Sequence, residues 1–181
     1  MTPIQALVRG MLAAAVGTAA MDALWFYRYK RGGGDGGPLE WEFSAGLDNW
    51  DSASAPGKLG KRLFEAVFRH ELAPRWAPLT NNVMHWGYGV GWGGVYAILA
   101  GSLARPRAVW GVPFGAVAWA TSYVILPLAG LYRPIWGYDI GTLWQDLSAH
   151  LVYGLGTATT FGLLSRGATR SLSDGRTGPR L

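Results

Sequence analysis

Asn81-Asn82-Val83-Met84-His85-Trp86-Gly87-Tyr88-Gly89-Val90-Gly91 and, sixty-five positions later, Asp146-Leu147-Ser148-Ala149-His150-Leu151-Val152-Tyr153-Gly154-Leu155-Gly156 are two copies of one pattern. Both read Asn/Asp-x-x-x-His-x-x-Tyr-Gly-x-Gly, and each opens a long apolar run. An internal repeat is settled first because a duplicated unit folds twice in the same way. Ahead of each copy lies another apolar run, where Gly10-x-x-x-Ala14 matches Gly111-x-x-x-Gly115. The unit is therefore helix, connection, helix. Two spans per unit leave both copies in the same orientation, so a pseudo-twofold axis along a membrane normal is expected.

The composition agrees with a membrane chain. Half of the 181 residues are hydrophobic and 15% are charged, against roughly 25% in soluble domains. Ten Trp and 27 Gly fit membrane helices and their interfaces. No Asp, Glu, Lys, Arg or His lies between Val109 and Tyr132, and Ala6 to Ala20 carries only Arg9. Runs of about 20 such residues cross a bilayer. Spans are expected at residues 4–27, 83–103, 109–131 and 143–164, with Arg105-Pro106-Arg107 as a tight turn. The expected fold is an all-α integral membrane four-helix bundle over residues 1–165. The N-terminal run continues through Leu24-Trp25-Phe26-Tyr27, which makes it an uncleaved anchor and not a signal peptide.

The net charge of +5 sits in loops and tail, where it anchors helices, and forms no basic face for nucleic acid. With no cysteine, disulfides, thiolate metal sites and Cys nucleophiles are excluded. Residues 28–80 form one long extramembrane loop. Its first half holds Asp35, Glu40, Glu42, Asp48 and Asp51 without a Lys or Arg between them, and the sign reverses after Pro56. Leu59, Leu63, Phe64, Val67, Phe68 and Leu72 recur there at helical spacing, giving an amphipathic helix that lies on the membrane or folds over the bundle mouth. Trp41, Trp50 and Trp76 are expected at headgroup level. Residues 166–181 read as a disordered basic tail.

Chain direction brings the polar residues together. Asp22 lies five residues before Tyr27, about 8 Å from the end of the first span at ~1.5 Å per residue. His85 opens the second span, and Asp146 and His150 the fourth, so Asp22, Asn81, His85, Asp146 and His150 share one depth. Within each copy, spacing i to i+4 stacks the polar head over the histidine. Ionisable groups inside spans are costly and face the bundle interior or water.

Three readings of this layer stand open. It is polar glue between helices; it handles protons or cations; or it holds a cofactor. In the last case His85 and His150 ligate haem b, or Asp22, His85, Asp146 and His150 hold a divalent cation. Gly87, Gly89, Gly91, Gly93, Gly154 and Gly156 have the small-x-x-x-small spacing of close helix contacts. Tyr88 and Tyr153 are placed to hydrogen-bond across the axis. His70 is expected to face solvent. No P-loop, zinc-protease or nucleophile-elbow motif is present, so no enzymatic activity is legible.

Several stretches resemble the small multi-span inner-membrane proteins of bacteria, in particular the YagU-like group. They are the Gly/Ala-rich first span ending in Met21-Asp22, Trp92-Gly93-Gly94-Val95-Tyr96 after His85, and the closing His-x-x-Tyr-Gly span. Thr80-Asn81-Asn82-Val83-Met84-His85-Trp86 also resembles membrane proteins of high-GC actinobacteria. The resemblance implies a multi-pass inner-membrane location and, for the YagU-like group, a part in acid resistance. It carries over no catalytic residue. The partners expected are the lipid bilayer and a second copy or a larger membrane complex. Arg105, Arg107, Arg166 and Arg170 favour cytoplasmic termini, while Arg28, Lys30 and Arg31 argue the reverse.

Overall fold

The computed structural model describes residues 2–43, 47–101 and 107–174, with side chains to residue 166. All regular structure among them is helical: α1 (Pro3–Arg31), α2 (Pro38–Glu42), α3 (Ala55–Phe68), α4 (Ala77–Gly101), α5 (Gly111–Leu128) and α6 (Ile140–Asp174). The ends follow from capping chemistry. Thr2 accepts from the Gln5 amide at 3.2 Å while the Gln5 side chain accepts from the Thr2 amide at 3.1 Å, a reciprocal capping box. Arg28, Lys30 and Arg31 sit in the last turn of α1, against the negative end of its dipole.

Helix bounds differ from the apolar spans. α1 runs on to Arg31 and α4 starts at Ala77 after a 3-10 turn at Pro74–Trp76. The apolar stretch marks what can enter hydrocarbon, whereas a helix continues until a cap or breaker stops it. For the same reason α6 continues to Asp174 through the stretch read as a disordered tail; Gly167 alone does not stop it. Residues 175–181 lie outside the described residues, as do Arg105 and Pro106 of the expected turn.

α1 lies along α4 on one side and α6 on the other, and α5 packs on α6. The remaining junction, α4 with α5, is bridged by side chains. The Trp92 and Tyr96 rings meet Phe114 at centroid distances of 5.9 and 4.8 Å, and the Tyr88 hydroxyl donates to the Ala118 carbonyl at 3.3 Å. The interior is built from small and aromatic residues. Gly10, Ala13, Ala14, Gly17 and Thr18 form the buried face of α1, and Tyr96, Phe114, Tyr153 and Phe161 fill the centre. Large aliphatic side chains point outward instead, among them Leu12, Val16, Val95, Leu99, Val112 and Leu163.

Glycine makes the close contacts possible. A Cβ on Gly93 would run into the Gly10 carbonyl and Ala14, and one on Gly154 would stand 2.7 Å from the Gly115 amide nitrogen. Gly89 packs on Thr18, and Gly156 on Gly17. Gly87 and Gly91 correct the expectation: both are exposed and a Cβ there would meet nothing within 4 Å. Two residues from Gly89, they are turned about 200° around the helix.

The two units do not repeat in strict register. Gly10 faces Gly93, whereas Gly111 faces Gly154, the counterpart of Gly89. α5 is thus displaced by about one turn from the place that a match of Gly10 to Gly111 requires. Two stretches, Pro3–Arg31 and Ala108–Leu128, are long and apolar enough to cross a membrane. α4 and α6 have the length, but their glycines and polar heads hold their hydropathy lower.

Candidate functional site

Asp22 projects from the buried face of α1, with only 7% of its surface exposed. His85 reaches it from α4, with Nε2 2.8 Å from Asp22 Oδ1. A carboxylate only accepts, so the imidazole donates through Nε2. The other oxygen, Asp22 Oδ2, is buried and has no hydrogen-bond partner. In the second copy the geometry is different. His150 Nδ1 donates to the backbone carbonyl of Asp146 at 2.9 Å and lies 3.4 Å from Asp146 Oδ1. The two histidines therefore donate through opposite ring nitrogens.

The i to i+4 stacking holds for Asp146 and His150; in the first copy the side chains also reach other elements. The Asn81 side chain accepts from the Ser54 hydroxyl, and His85 turns to Asp22. A carboxylate of a neighbouring helix gives His85 the stronger, charge-assisted bond.

Asp22, His85, Asp146 and His150 all lie on the wall of one cavity of about 480 Å³. It lies at the loop-side end of the bundle, between α1, α4, α5 and α6. Its loop-side end is lined by Trp41 and Glu42 of α2 and by Pro56 and Leu59 of α3. Trp41 is fixed against Phe26 and Tyr29, and Glu42 accepts from Trp86 Nε1 at 2.7 Å. Three carboxylates thus face the cavity, and among the described residues no Lys or Arg lines it. At its edge, burial and then the Asp146 carboxylate push the Tyr132 hydroxyl up to about 12, so it stays protonated at neutral pH.

Sequence reasoning missed Glu42, Trp41 and Tyr132. The signal was the run of acids from Asp35 to Asp51 without a base, but nothing local says that a loop folds inward. Trp50 is likewise fixed within the loop, donating to the Leu72 carbonyl at 2.9 Å. His70 is exposed, as expected. Tyr153 donates across to the Gly89 carbonyl at 2.7 Å, while Tyr88 turns to α5. Arg28 donates to the Gln145 carbonyl at 2.7 Å and to Ser148 at 2.8 Å, tying α1 to α6.

The cofactor readings gain little from this geometry. Among the described residues no group of three or more His, Asp or Glu could hold a metal ion; the four candidates form two pairs facing one cavity. Symmetric axial ligation of haem b through Nε2 is opposed by Asp22, which engages that nitrogen of His85. No family model, curated protein or solved structure matches the chain.

Proposed function

We propose that the chain is a four-span membrane protein whose cavity binds a cation in competition with protons taken up by His85 and His150. The observation that carries this reading is the charge inventory of the wall: among the described residues, Asp22, Glu42 and Asp146 against no Lys or Arg. Asp22 is buried, and a buried carboxylate demands compensation. A cation supplies it, or the histidines do by protonating.

Membrane insertion of all four long helices is supported by their inverted packing, small residues inside and large aliphatic ones outside, as helix association in lipid requires. On α3 the buried positions are Gly57 and Gly60, while Leu63, Val67 and Phe68 stay exposed beside Lys58, Lys61 and Arg62. That face suits the headgroup region of an anionic bilayer. Because Arg28 is engaged by α6, it counts as packing more than as a topology signal, and both termini then face the cytoplasm. A proton-linked cavity is also compatible with the part in acid resistance that the resemblance to YagU-like proteins implies.

Cation binding beside an imidazolium is disfavoured by like charge, so an arriving cation expels protons. In weakly buffered detergent solution, adding a bound cation should acidify the medium, as read by a pH-sensitive dye. His85→Gln with His150→Gln should abolish the release. If alkali, divalent and organic ammonium ions all fail to release protons from the parent protein, this reading is wrong. Polar glue is the second reading, favoured by the hydrogen bond that each histidine makes. The unpartnered Asp22 Oδ2 counts against it, since glue exists to satisfy such groups.

A further inference from the structure

We propose that the cavity opens sideways into the bilayer between α4 and α5, and that its cation arrives there as the charged head of an amphiphile whose chain stays in that seam. The inference rests on the four-span, cation-binding reading above. It starts from how the helices are held. Glycine brings backbones close at three junctions: Gly10 meets Gly93, Gly17 meets the Tyr153 carbonyl, and Gly154 meets Gly115. Among the described residues no glycine packs across the fourth, from α4 to α5. Side chains cross it instead. The Tyr88 hydroxyl donates to the Ala118 carbonyl at 3.3 Å and lies 3.5 Å from the Ser122 hydroxyl, both longer than the usual range for hydroxyl bonds.

The seam is where the cavity reaches the outside at membrane depth. Tyr88 and Ile125 line the cavity and are nonetheless 39% and 43% exposed, so they form a rim. Val95, two turns beyond Tyr88 on the same face, and Leu128, one turn beyond Ile125, extend it with exposed apolar side chains. The order of the wall with depth fits an amphiphile of the leaflet on the loop side. Glu42 and the His85–Asp22 pair lie shallow. Tyr88 is three residues deeper than His85 and Trp92 seven, about 4.5 and 10 Å at the helical rise. A cationic head at the shallow end is attracted by the carboxylates through a low-dielectric interior, with no bond to Asp22 required. The Tyr88 and Trp92 rings, an edge-on pair at 6.1 Å, also attract a desolvated cation. The chain then runs past Tyr88 toward Trp92 and Ala118, which line the deeper wall. A cation confined to water has another way in, past Ser54, the exposed lining residue on the loop side.

The test uses the full chain in lipid vesicles and two photoreactive probes of equal chain length, dodecyltrimethylammonium and dodecanol, each with a diazirine midway along the chain. A quaternary head carries charge without a hydrogen-bond donor, so the contrast reads attraction for the cation. Mass spectrometry maps the labelled residues. The cationic probe should mark Tyr88, Trp92 and Ile125 above Val16 and Leu163, which face outward on α1 and α6. Dodecanol should mark the same three weaker by roughly tenfold or more, the factor that opposite charge contributes in a site of low dielectric. By mass action, an unlabelled excess of about tenfold should cut the cationic labelling to a similar degree. Tetramethylammonium in the water phase should not compete at that excess. Equal labelling by dodecanol overturns the inference and leaves an apolar groove. Competition by tetramethylammonium as strong as by the amphiphile also overturns it; the cation then comes from water past Ser54, and the cation-binding cavity survives. Labelling of outward positions alone rejects the seam, and proton release by small cations then decides separately whether the cavity binds cations at all.

Discussion

His85 and His150 occupy equal places in a repeated motif, yet they donate through opposite ring nitrogens. His85 donates through Nε2 to a carboxylate of another helix, and His150 donates through Nδ1 to a carbonyl of its own. Nitrogen-15 spectra of the imidazoles at a pH where both are neutral should show Nε2–H for His85 and Nδ1–H for His150. Two identical tautomers would refute this geometry. The Tyr153 hydroxyl is a second residue-level device, being 2% exposed and donating to the Gly89 carbonyl at 2.7 Å. Removing it leaves an acceptor that still has its helical partner, so Tyr153→Phe should cost about 0.5–1.5 kcal/mol of stability, measured by unfolding in detergent. At this scale much was legible. Depth from the span ends brought Asp22, His85, Asp146 and His150 to one cavity, because helical rise is fixed. Which oxygen meets which nitrogen was not, because His85 is claimed by a carboxylate of another helix and His150 by a carbonyl of its own.

Among elements, the glycines divide by the face they occupy. Gly154 meets backbone of α5 that cannot move aside, whereas Gly87 and Gly91 meet nothing. Gly154→Ala should therefore destabilise the bundle by about 1–3 kcal/mol, the range for overpacking. Gly87→Ala should be neutral or stabilise by up to ~1 kcal/mol, because it removes a poor helix former at no steric cost. Equal effects in thermal unfolding would show that α5 and α6 are not in close contact. Spacing alone could not separate these positions, since Gly87 and Gly91 share the i to i+4 interval of Gly89 and Gly93. Only the neighbour decides which pair is a contact. Helix α6 adds a start signal at Asp139, whose carboxylate accepts from the Thr142 hydroxyl at 2.6 Å and amide at 2.9 Å. Those bonds hold its carboxyl below the usual carboxylate range. A lowered folded-state pKa means stability present above the unfolded pKa and lost as pH falls through the folded one. Asp139→Asn should thus be less stable than the parent at neutral pH, and the gap should narrow on acidification. A gap independent of pH would deny the cap its charge.

The whole molecule departs from the symmetry that its repeat leads one to expect. A strict twofold would make the α1–α6 and α4–α5 junctions alike. Instead α1 packs closely on α6 while α4 and α5 stand apart, and the cavity occupies the difference. The repeat was legible because both copies keep His-x-x-Tyr-Gly; the break was not, because it arises where Gly111 meets Gly154 and where the loop supplies Glu42. Two helices are long and apolar enough to cross a bilayer, so the four-span arrangement rests on the outward aliphatic faces of α4 and α6. The chain has no cysteine, which makes the test direct. Single cysteines at Val16, Val95, Val112 and Leu163, one exposed position on each long helix, can be compared with Ser52→Cys in the loop. In native membranes a water-soluble maleimide should label the loop position and spare all four helix positions, and detergent denaturation should restore labelling. Labelling of Val95→Cys and Leu163→Cys alone would mean that α1 and α5 span while α4 and α6 do not. The polar layer would then lie in water, and its carboxylates would need no cation to offset their burial. Protection at all four sites would instead leave Asp22 and Asp146 enclosed by a bundle within hydrocarbon, the setting in which uncompensated charge is most costly.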